Sequence, residues 1–347
     1  MKPYKVVSLF CGCGGSDLGI MGGFSYLGTK YMNNPVSILH ASDLNKKAIE
    51  TYNINFAHKA ELCDVSSLRF TASCADIVIG GFPCQAFSTV NPTKKPGDSS
   101  NQLFWQMAKI ISDIKPKVFV AENVKGFYRL AGGRYFNLAR NEFASLGYKI
   151  YSNLLNSADY GIPQLRERLF IVGIRNDIPG EFCFPRPTHG VTLRRHRVSL
   201  GKVIKSIVPD DPRYYFSQRA VEGAKRAKPN MKRLLAQSLN KPCLTITSHL
   251  AKVSINSRDP VLLVDPRKEL YRRFTPREAA RIQSFPNSFK FSGSDADAYR
   301  QIGNAIPPVL FWHICQGLFS VLAGKNQTGL KVHGGDCIEQ YLIAALP

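Results

Sequence analysis

The chain has 347 residues, of which 44% are hydrophobic and 20% are charged, a composition typical of a globular protein and not of a disordered one. This length exceeds that of one typical domain and predicts a large core with a smaller partner domain. No run approaches the roughly 18 uninterrupted apolar residues of a membrane span, and residues 1–10 lack the features of a signal peptide. We therefore expect a cytoplasmic protein without a membrane segment.

Positive charge is concentrated in one part of the chain. The 46 Lys and Arg residues exceed the 25 Asp and Glu residues by 21. Between Cys183 and Thr275 there are 20 basic and 6 acidic residues, so +14 of this charge lies in about a quarter of the chain. Such a segment favours a polyphosphate partner, because each neutralised phosphate releases counterions. A basic surface that only faces solvent is the alternative that composition leaves open.

The first 180 residues alternate segments of strand and helix character. Strands are predicted at Lys5–Phe10, Ser37–Ala41, Ala75–Gly80, Lys117–Ala121 and Leu169–Ile174, and helices at Asn45–Asn55 and Leu103–Ile114. This alternation indicates βαβ units and a doubly wound, Rossmann-like α/β sheet. Beyond Cys183 the pattern is irregular until two more predicted helices, Thr275–Phe285 and Pro308–Leu322. Thr275 is a plausible N-cap, with Pro276 in the first turn.

A glycine-rich turn, Phe10–Gly15, follows the first predicted strand. Its glycines permit a sharp turn and a close approach of backbone N–H groups to a ligand. Asp43, after the second strand, is placed to accept hydrogen bonds from ribose hydroxyls, and Asp64 could accept one from an adenine amino group. The spacing is not the GxGxxG of dinucleotide-binding loops, which argues against NAD, and an ordinary glycine-rich turn is the alternative.

The nine cysteines form no CxxC pair, so neither a metal site nor a disulfide scaffold is predicted, including at Cys11 and Cys13. Cys84 stands apart, because it follows a strand and a proline at the edge where open α/β sheets bind ligands. Its thiolate would be a nucleophile if positive charge lay nearby, and a buried structural cysteine is the alternative. The polar residues 89–102 beside it are typical of a mobile lid.

Three charged residues follow on what we expect to be the same rim of the sheet. Glu122 ends the next strand and could pair with a ring nitrogen that gains a proton, although a solvent-exposed strand-end Glu is the alternative. Arg166 and Arg168 are two residues apart and therefore point to one side of an extended segment. They could hold a phosphate and a carbonyl oxygen, or simply form a solvated basic loop.

Taken together, these motifs resemble the DNA (cytosine-5) methyltransferases of bacterial restriction–modification systems. The similarity follows the family's order along the chain, through Phe10–Gly15, Asp43, Asp64, Gly81–Gln85, Glu122–Val124, Gln164–Arg168, Arg273–Gln283 and Gln301–Ala305. The interval between Arg168 and Pro276 matches the family's variable target-recognition region, where the excess positive charge lies. The resemblance implies a Rossmann-like S-adenosylmethionine-dependent methyltransferase domain with a smaller, irregular target-recognition domain.

The resemblance implies a mechanism in which a cytosine is flipped out of duplex DNA. Cys84 would add to carbon 6, Glu122 would hold or protonate ring nitrogen 3, and Arg168 would contact O2 with Arg166 nearby. The implied residues for S-adenosylmethionine are Phe10, Gly12, Gly14, Gly15, Asp43, Leu44, Asp64, Pro83, Leu103 and Asn304. Those implied for DNA are Gln85, Ser88 and Thr245, and an ordinary strand residue is an equal alternative for Thr245.

The resemblance also implies a domain organisation. Residues 1–182 would form the catalytic and cofactor-binding domain, 183–296 the target-recognition domain and hinge, and 297–347 a segment returning to the catalytic domain. Two departures from the family's pattern are Ser16, in place of an apolar residue, and Ser100, where the lid usually has an arginine. We therefore expect looser packing around the cofactor, and lid closure that depends on Lys94 or Lys95.

Double-stranded DNA is the expected partner, with a cognate restriction endonuclease that acts on the same site without a stable complex, and a monomer is expected. A tRNA methyltransferase of the same family is the nearest alternative, although it usually lacks a long basic recognition segment. A DNA-binding module without activity would not require Cys84, Glu122 and Arg168 together. A Rossmann oxidoreductase is disfavoured by the glycine spacing and by the basic segment.

Overall fold

The structure is a computed structural model that describes residues 2–82, 102–190, 193–204, 211–226, 235–251 and 259–325. The predicted site residues Pro83, Cys84, Gln85 and Ser88 lie outside these ranges, as do Lys94, Lys95 and Ser100 of the predicted lid. The strands in chain order are β1 (Tyr4–Leu9), β2 (Phe24–Tyr26), β3 (Thr29–Tyr31), β4 (Val36–Asp43), β5 (Glu61–Leu62), β6 (Ile77–Gly80), β7 (Val118–Val124), β8 (Tyr148–Asn156), β9 (Gln164–Leu165), β10 (Glu167–Arg175), β11 (Leu235–Ala236), β12 (Cys243–Leu244), β13 (Pro260–Asp265) and β14 (Leu270–Arg272).

The helices alternate with the strands in the first half of the chain and dominate its last part. They are α1 (Gly15–Met21), α2 (Lys46–Asn55), α3 (Gln102–Ile114), α4 (Lys125–Arg129), α5 (Arg134–Ser145), α6 (Gln218–Lys225), α7 (Pro276–Ile282), α8 (Asp295–Asn304) and α9 (Pro308–Leu322). The structure thus confirms the predicted helices after β4, before β7 and at the C-terminal side, within a few residues at each end.

The central sheet has the strand order β5-β4-β1-β6-β7-β10-β8. Strands β5, β4, β1, β6 and β7 are parallel, whereas β10 is antiparallel to both of its neighbours. The connections leave β1 towards β4 on one side and reach β6 on the other, so the strand order reverses beside β1. In open α/β sheets the crevice for a ligand lies at the carboxyl ends of the strands at such a reversal.

Both faces of the sheet are buried, and alternate residues of the same strands contribute to the two cores on either side of it. Val6, Ile77 and Ile79 belong to the core that α1 and α9 cover, whereas Val7 and Val78 belong to the core that α3 and α5 cover. This is the period-two geometry of strands buried on both faces, and it explains why they read as continuous apolar runs. The doubly wound arrangement predicted from the sequence is therefore confirmed.

A third core joins the first part of the chain to its last part. It includes Cys11 and Tyr52 from the region of β1 and α2, together with Cys243, Phe274 and Ile302 from residues beyond 183. In addition, β12 pairs in parallel with β9, while β11, β13 and β14 form a separate small sheet. The predicted domain boundaries remain predictions, because apolar packing is continuous across them.

Local signals explain where the last helices begin. Thr275 caps α7 through its side chain, which accepts a hydrogen bond from the N–H of Glu278, and Glu278 bonds back to the N–H of Thr275. Ser294 and Asp297 form the same reciprocal cap on α8. The stretch Asp295–Leu322 is apolar and long enough to cross a membrane by composition alone, but most of it is buried within the protein, and α9 packs against α1.

Candidate active site

A cavity of about 470 Å³ opens at the carboxyl ends of β1, β4, β6 and β7. This is the edge of the sheet at which the strand order reverses. Its walls therefore combine residues from four strand ends with residues at the C-terminal end of α8 and directly after it. The lining residues include Phe10, Gly12, Gly15, Ser16, Asp43, Leu44, Val65, Phe82, Leu103, Glu122, Arg166, Arg168, Arg300 and Asn304.

The glycine-rich turn after β1 forms one wall, and its glycines have different reasons for lacking a side chain. Gly12 lines the cavity with a φ of +54° and has open space where a Cβ would be. Gly14 packs inward, because a Cβ there would lie 2.3 Å from the ring of Phe56. The role of Gly14 in cofactor binding stays a prediction. The structure shows a packing role for this glycine behind the turn, which the sequence analysis did not anticipate.

Asp43 connects the end of β4 to the glycine-rich turn. One carboxylate oxygen accepts a hydrogen bond from the N–H of Gly12 at 2.9 Å, and the other accepts one from the N–H of Asn45 at 2.8 Å. Burial raises the pKa of Asp43, while these backbone donors act in the opposite direction. Next to it, the apolar side chain of Leu44 lines the cavity and is 61% exposed.

Asp64 is not among the residues that line the cavity. Its Oδ1 accepts a hydrogen bond from the N–H of Ser66 at 2.8 Å and caps the short 3₁₀ turn Val65–Ser67. Val65 lines the cavity in its place. The contact of Asp64 with an adenine amino group therefore stays a prediction, and Val65 is a lining residue that the sequence analysis missed because no motif marks it.

Glu122 and Arg168 form an ion pair in the cavity wall. Arg168 Nε lies 3.1 Å from Glu122 Oε1, and their side chains are only 14% and 12% exposed. The register of β7 and β10 brings these two strand ends together, since Arg168 pairs with Val124 and Phe170 pairs with Glu122. Burial raises the pKa of Glu122, with the Arg168 and Arg166 guanidinium groups opposing it. Burial also lowers the pKa of Arg168, and Glu122 opposes that change.

Arg166 lines the same cavity but directs its donors elsewhere. Its side chain is fully buried, and Nη1 donates to the carbonyl of Ile246 at 3.1 Å. Nη2 donates to the carbonyls of Gly303 at 2.9 Å and Ala305 at 3.1 Å, on either side of Asn304. A phosphate contact, one of the roles considered from the sequence, is not open to a guanidinium in this position. Arg166 instead fixes two backbone segments around the cavity, one at Ile246 and one at Gly303–Ala305.

Gln164 and Gln283 form a second connection across the same junction. Gln164 Nε2 donates to Gln283 Oε1, and Gln283 Nε2 donates to the carbonyl of Ala305 at 2.6 Å. Gln164 Oε1 accepts from the N–H of Ile246 at 2.8 Å. Both glutamines belong to quoted motifs, but their pairing across 119 residues could not be read from either motif alone.

Thr245 belongs to this junction as well. Its Oγ1 donates to the carbonyl of Leu165 at 2.8 Å, one residue beyond the paired strands β9 and β12. The hydroxyl therefore has a partner within the protein, and a role of Thr245 in DNA binding stays a prediction. Of the remaining predicted residues, Leu103 and Asn304 line the cavity. Pro83, Cys84, Gln85 and Ser88 lie outside the described residues.

Ser16, the first departure from the family's pattern, has a defined partner. It lines the cavity, and its Oγ donates to the buried carboxylate of Asp17 at 3.2 Å. Asp17 is fully buried beneath the turn and also accepts from Ser8 and Tyr52. The polar residue at position 16 is thus explained by a buried carboxylate that needs donors.

The parallel sheet with one antiparallel strand, β10, inserted before its last strand, the glycine-rich turn after β1 and the acidic end of β4 define the class of S-adenosylmethionine-dependent methyltransferases. A family model described as "C-5 cytosine-specific DNA methylase" matches residues 4–320. The chain therefore belongs to this family and is a DNA (cytosine-5) methyltransferase.

Individual comparisons agree with this assignment. The chain is similar to Type II methyltransferase M1.ScrFI of Lactococcus lactis subsp. cremoris, with 31% identity over 92% of this chain and 79% of that protein. It is also 31% identical to Type II methyltransferase M.FnuDI of Fusobacterium nucleatum, over 93% of this chain and 96% of the relative. The crystal structure of S. pombe Dnmt2 methyltransferase has the same fold, with a TM-score of 0.72, 21% identity, and coverage of 92% and 99% of the two chains.

Proposed function

We propose that this protein is the modification enzyme of a restriction–modification system and methylates carbon 5 of a cytosine flipped out of duplex DNA. The observation that carries the proposal is the buried pair of Glu122 and Arg168, which faces the same cavity as the glycine-rich turn. A carboxyl and a guanidinium side by side can offer hydrogen-bond donors to N3 and O2 of a cytosine ring, which are both acceptors, once the carboxyl carries a proton. The relatives named as type II methyltransferases support the biological setting.

The cavity fits S-adenosylmethionine in its donor set and in its apolar surface. We assign Asp43 to the ribose hydroxyls, since each of its carboxylate oxygens keeps a lone pair beyond the backbone bond that it accepts. Leu44 and Val65 supply apolar surface for an adenine ring, and Phe10, Gly12, Gly15, Leu103 and Asn304 complete the walls. When bound, the cofactor supplies an electrophilic methyl group.

We assign the nucleophile to Cys84, which is two residues beyond Phe82 in the cavity wall. Its thiolate forms a bond to carbon 6 of the cytosine, which makes carbon 5 electron-rich enough to take the methyl group. Loss of the proton from carbon 5 then lets the sulfur–carbon 6 bond break, which restores the aromatic ring and the thiolate. The methyl group would come from the sulfur–methyl bond of the cofactor, which breaks as the bond to carbon 5 forms, and the carbon 5 proton would pass to water.

Glu122 and Arg168 act where charge develops during this addition. Because burial raises the pKa of Glu122, its carboxylate takes up a proton more readily than that of an exposed glutamate, and the proton gained as the base binds can hold nitrogen 3. Arg168 offers positive charge to O2, and positive charge of this kind also favours ionisation of the thiol that we assign as the nucleophile. Arg166 acts through the backbone around Asn304 and is a positioning residue.

The remaining elements of the proposal concern partners and place. We propose that the DNA partner lies against the basic segment between Cys183 and Thr275, and that a cognate endonuclease reads the same site without a stable complex. We also propose a monomer that works in the bacterial cytoplasm. Gel filtration with light scattering tests the monomer, and a shift to twice the chain mass would contradict it.

The experiment that tests the chemistry traps the covalent intermediate. Duplex DNA containing 5-fluorocytosine at the mapped target position retains the adduct, because fluorine on carbon 5 cannot leave as a proton does. We expect a protein–DNA adduct with the wild type and with Cys74→Ser, a matched thiol control, and none with Cys84→Ser. An adduct with Cys84→Ser would refute the assigned nucleophile, and transfer of labelled methyl to tRNA but not to duplex DNA would refute the substrate.

A further inference from the structure

A group of three potential metal ligands lies on the edge of the sheet, apart from the cavity. The ligand atoms of His40, Glu61 and Cys63 all lie within 4.8 Å of one another. Ser42 of β4 pairs with Glu61 of β5, so His40, two residues before Ser42, and Cys63, two residues after Glu61, share one face of these strands. The sequence analysis did not identify this group. His40 and Glu61 are 21 positions apart, Glu61 and Cys63 are two positions apart, and the three form no ligand motif.

The imidazole of His40 is poorly satisfied within the described residues. Its Nδ1 lies 3.6 Å from Glu61 Oε1, which is longer than a hydrogen bond. Its Nε2 is buried and has no hydrogen-bond partner in the part of the chain that the structure describes. The nearby His58, on the loop that leads to Glu61, also has a buried Nε2 without a partner there. Buried polar atoms without partners are costly. An ion beside Glu61 would be bound by Nδ1 of His40, and it could also take Nε2 of His58 as a ligand and so remove the cost at that atom.

The donor types select the kind of ion. An imidazole, a thiolate and a carboxylate together are the ligand set of zinc and of similar divalent transition metals, not of magnesium or calcium. In a tetrahedral zinc site neighbouring nitrogen and oxygen ligands are about 3.4 Å apart. The 3.6 Å between His40 Nδ1 and Glu61 Oε1 is close to this ligand-to-ligand distance, and the ligand atom of Cys63 lies within 4.8 Å of those of His40 and Glu61.

We propose that His40, Glu61 and Cys63 bind one zinc-class divalent cation, with water or His58 in the fourth position. The ion lies behind the cofactor cavity, because Cys63 N–H donates to the carbonyl of Asp43 at 3.3 Å. It links the edge strand β5 to β4 and so steadies the turn at Val65, which lines the cavity. The site is structural and takes no part in methyl transfer.

The test uses the full-length, tag-free protein and Co²⁺ as a spectroscopic probe. We expect one equivalent of Co²⁺ to give the visible absorption of a tetrahedral site and a near-ultraviolet band from sulfur-to-cobalt charge transfer. Cys63→Ser should lose the charge-transfer band, whereas Cys74→Ser, another partly buried cysteine outside the group, should retain it. Glu61→Gln changes a side chain that is 66% exposed and leaves the fold intact, and it should weaken binding by more than about tenfold.

Thermal unfolding provides an independent reading. Zinc should raise Tm for the wild type and for Cys74→Ser, but not for Cys63→Ser, because only a ligand set formed in the folded state stabilises it by binding. A charge-transfer band that persists in Cys63→Ser would place the metal on another thiol and overturn the proposal. Failure of the wild type to bind either ion at equimolar concentration would overturn it equally.

Discussion

Asp17 offers a quantitative test of the electrostatics beneath the cofactor turn. Its carboxylate is fully buried and accepts hydrogen bonds from Ser8 at 2.9 Å, Ser16 at 3.2 Å and Tyr52 at 3.0 Å. Burial nevertheless dominates these donors and raises the pKa of Asp17 from 3.8 to about 6. We predict that Asp17→Asn, which keeps the shape and removes the charge, makes the protein more stable at alkaline pH.

The magnitude and sign follow from linkage between protonation and folding. Between pH 3.8 and about 6 the unfolded chain has released this proton while the folded chain keeps it, so stability falls as the pH rises through this window. Above it, the ionised carboxylate costs the folded state about 3 kcal/mol. Asparagine does not pay this cost, and its amide can still accept from the two serines while the Tyr52 hydroxyl turns to accept from it.

The assay is urea unfolding of the wild type and of Asp17→Asn at pH 5 and pH 8. The difference between the two proteins isolates Asp17, because other buried carboxyls titrate equally in both. We expect the variant's advantage to grow with pH, with about half of the full 3 kcal/mol developing between these two conditions. An advantage that does not change with pH, or a variant that is least stable at pH 8, would refute the reasoning.

Two further predictions concern the junction between the cavity and the recognition segment. Gly303→Ala should lower the free energy of unfolding by more than about 2 kcal/mol, because a Cβ would lie 2.2 Å from the backbone of Thr247, whereas Gly126→Ala, with no contact closer than 4.0 Å, should change it by less than about 1 kcal/mol. Arg166→Lys should cost about 2 kcal/mol and weaken S-adenosylmethionine binding in calorimetry, because lysine cannot reproduce the planar fork beside Asn304. Equal stability of the two glycine variants, or unchanged cofactor affinity, would contradict these expectations.

The parallel part of the sheet could be predicted because its strands are buried on both faces and carry continuous apolar runs. Strand β8 escaped prediction, since Tyr148–Asn156 mixes polar and apolar residues and sits at the edge of the sheet. Its antiparallel neighbour β10 was predicted as a strand, but the direction of pairing depends on partners distant in sequence. Local sequence patterns predict the type of an element and where it ends, but they do not predict the order of strands in a sheet.

The candidate site was likewise predictable only in part. Glu122 and Arg168 were identified because each stands in a motif at a strand end, and the structure brings them together as an ion pair. The orientation of Asp64 and the partners of Arg166 could not be predicted. The first depends on a turn only three residues long, and the second on carbonyls 80 and 137 residues away. Motifs name the residues, whereas tertiary packing decides where each donor points.

The pairing of Glu122 with Arg168 has a consequence for the active site before a DNA base enters it. In the resting state the two groups serve as countercharges to each other, so together they present a neutral, preorganised wall and not a lone buried ion. An incoming base thus meets donors and acceptors that are already desolvated, and it replaces contacts instead of creating them. Binding then depends on whether the incoming group has a hydrogen-bonding edge that matches the pair. A simple anion or cation gains little binding energy, because the charges of Glu122 and Arg168 already neutralise each other.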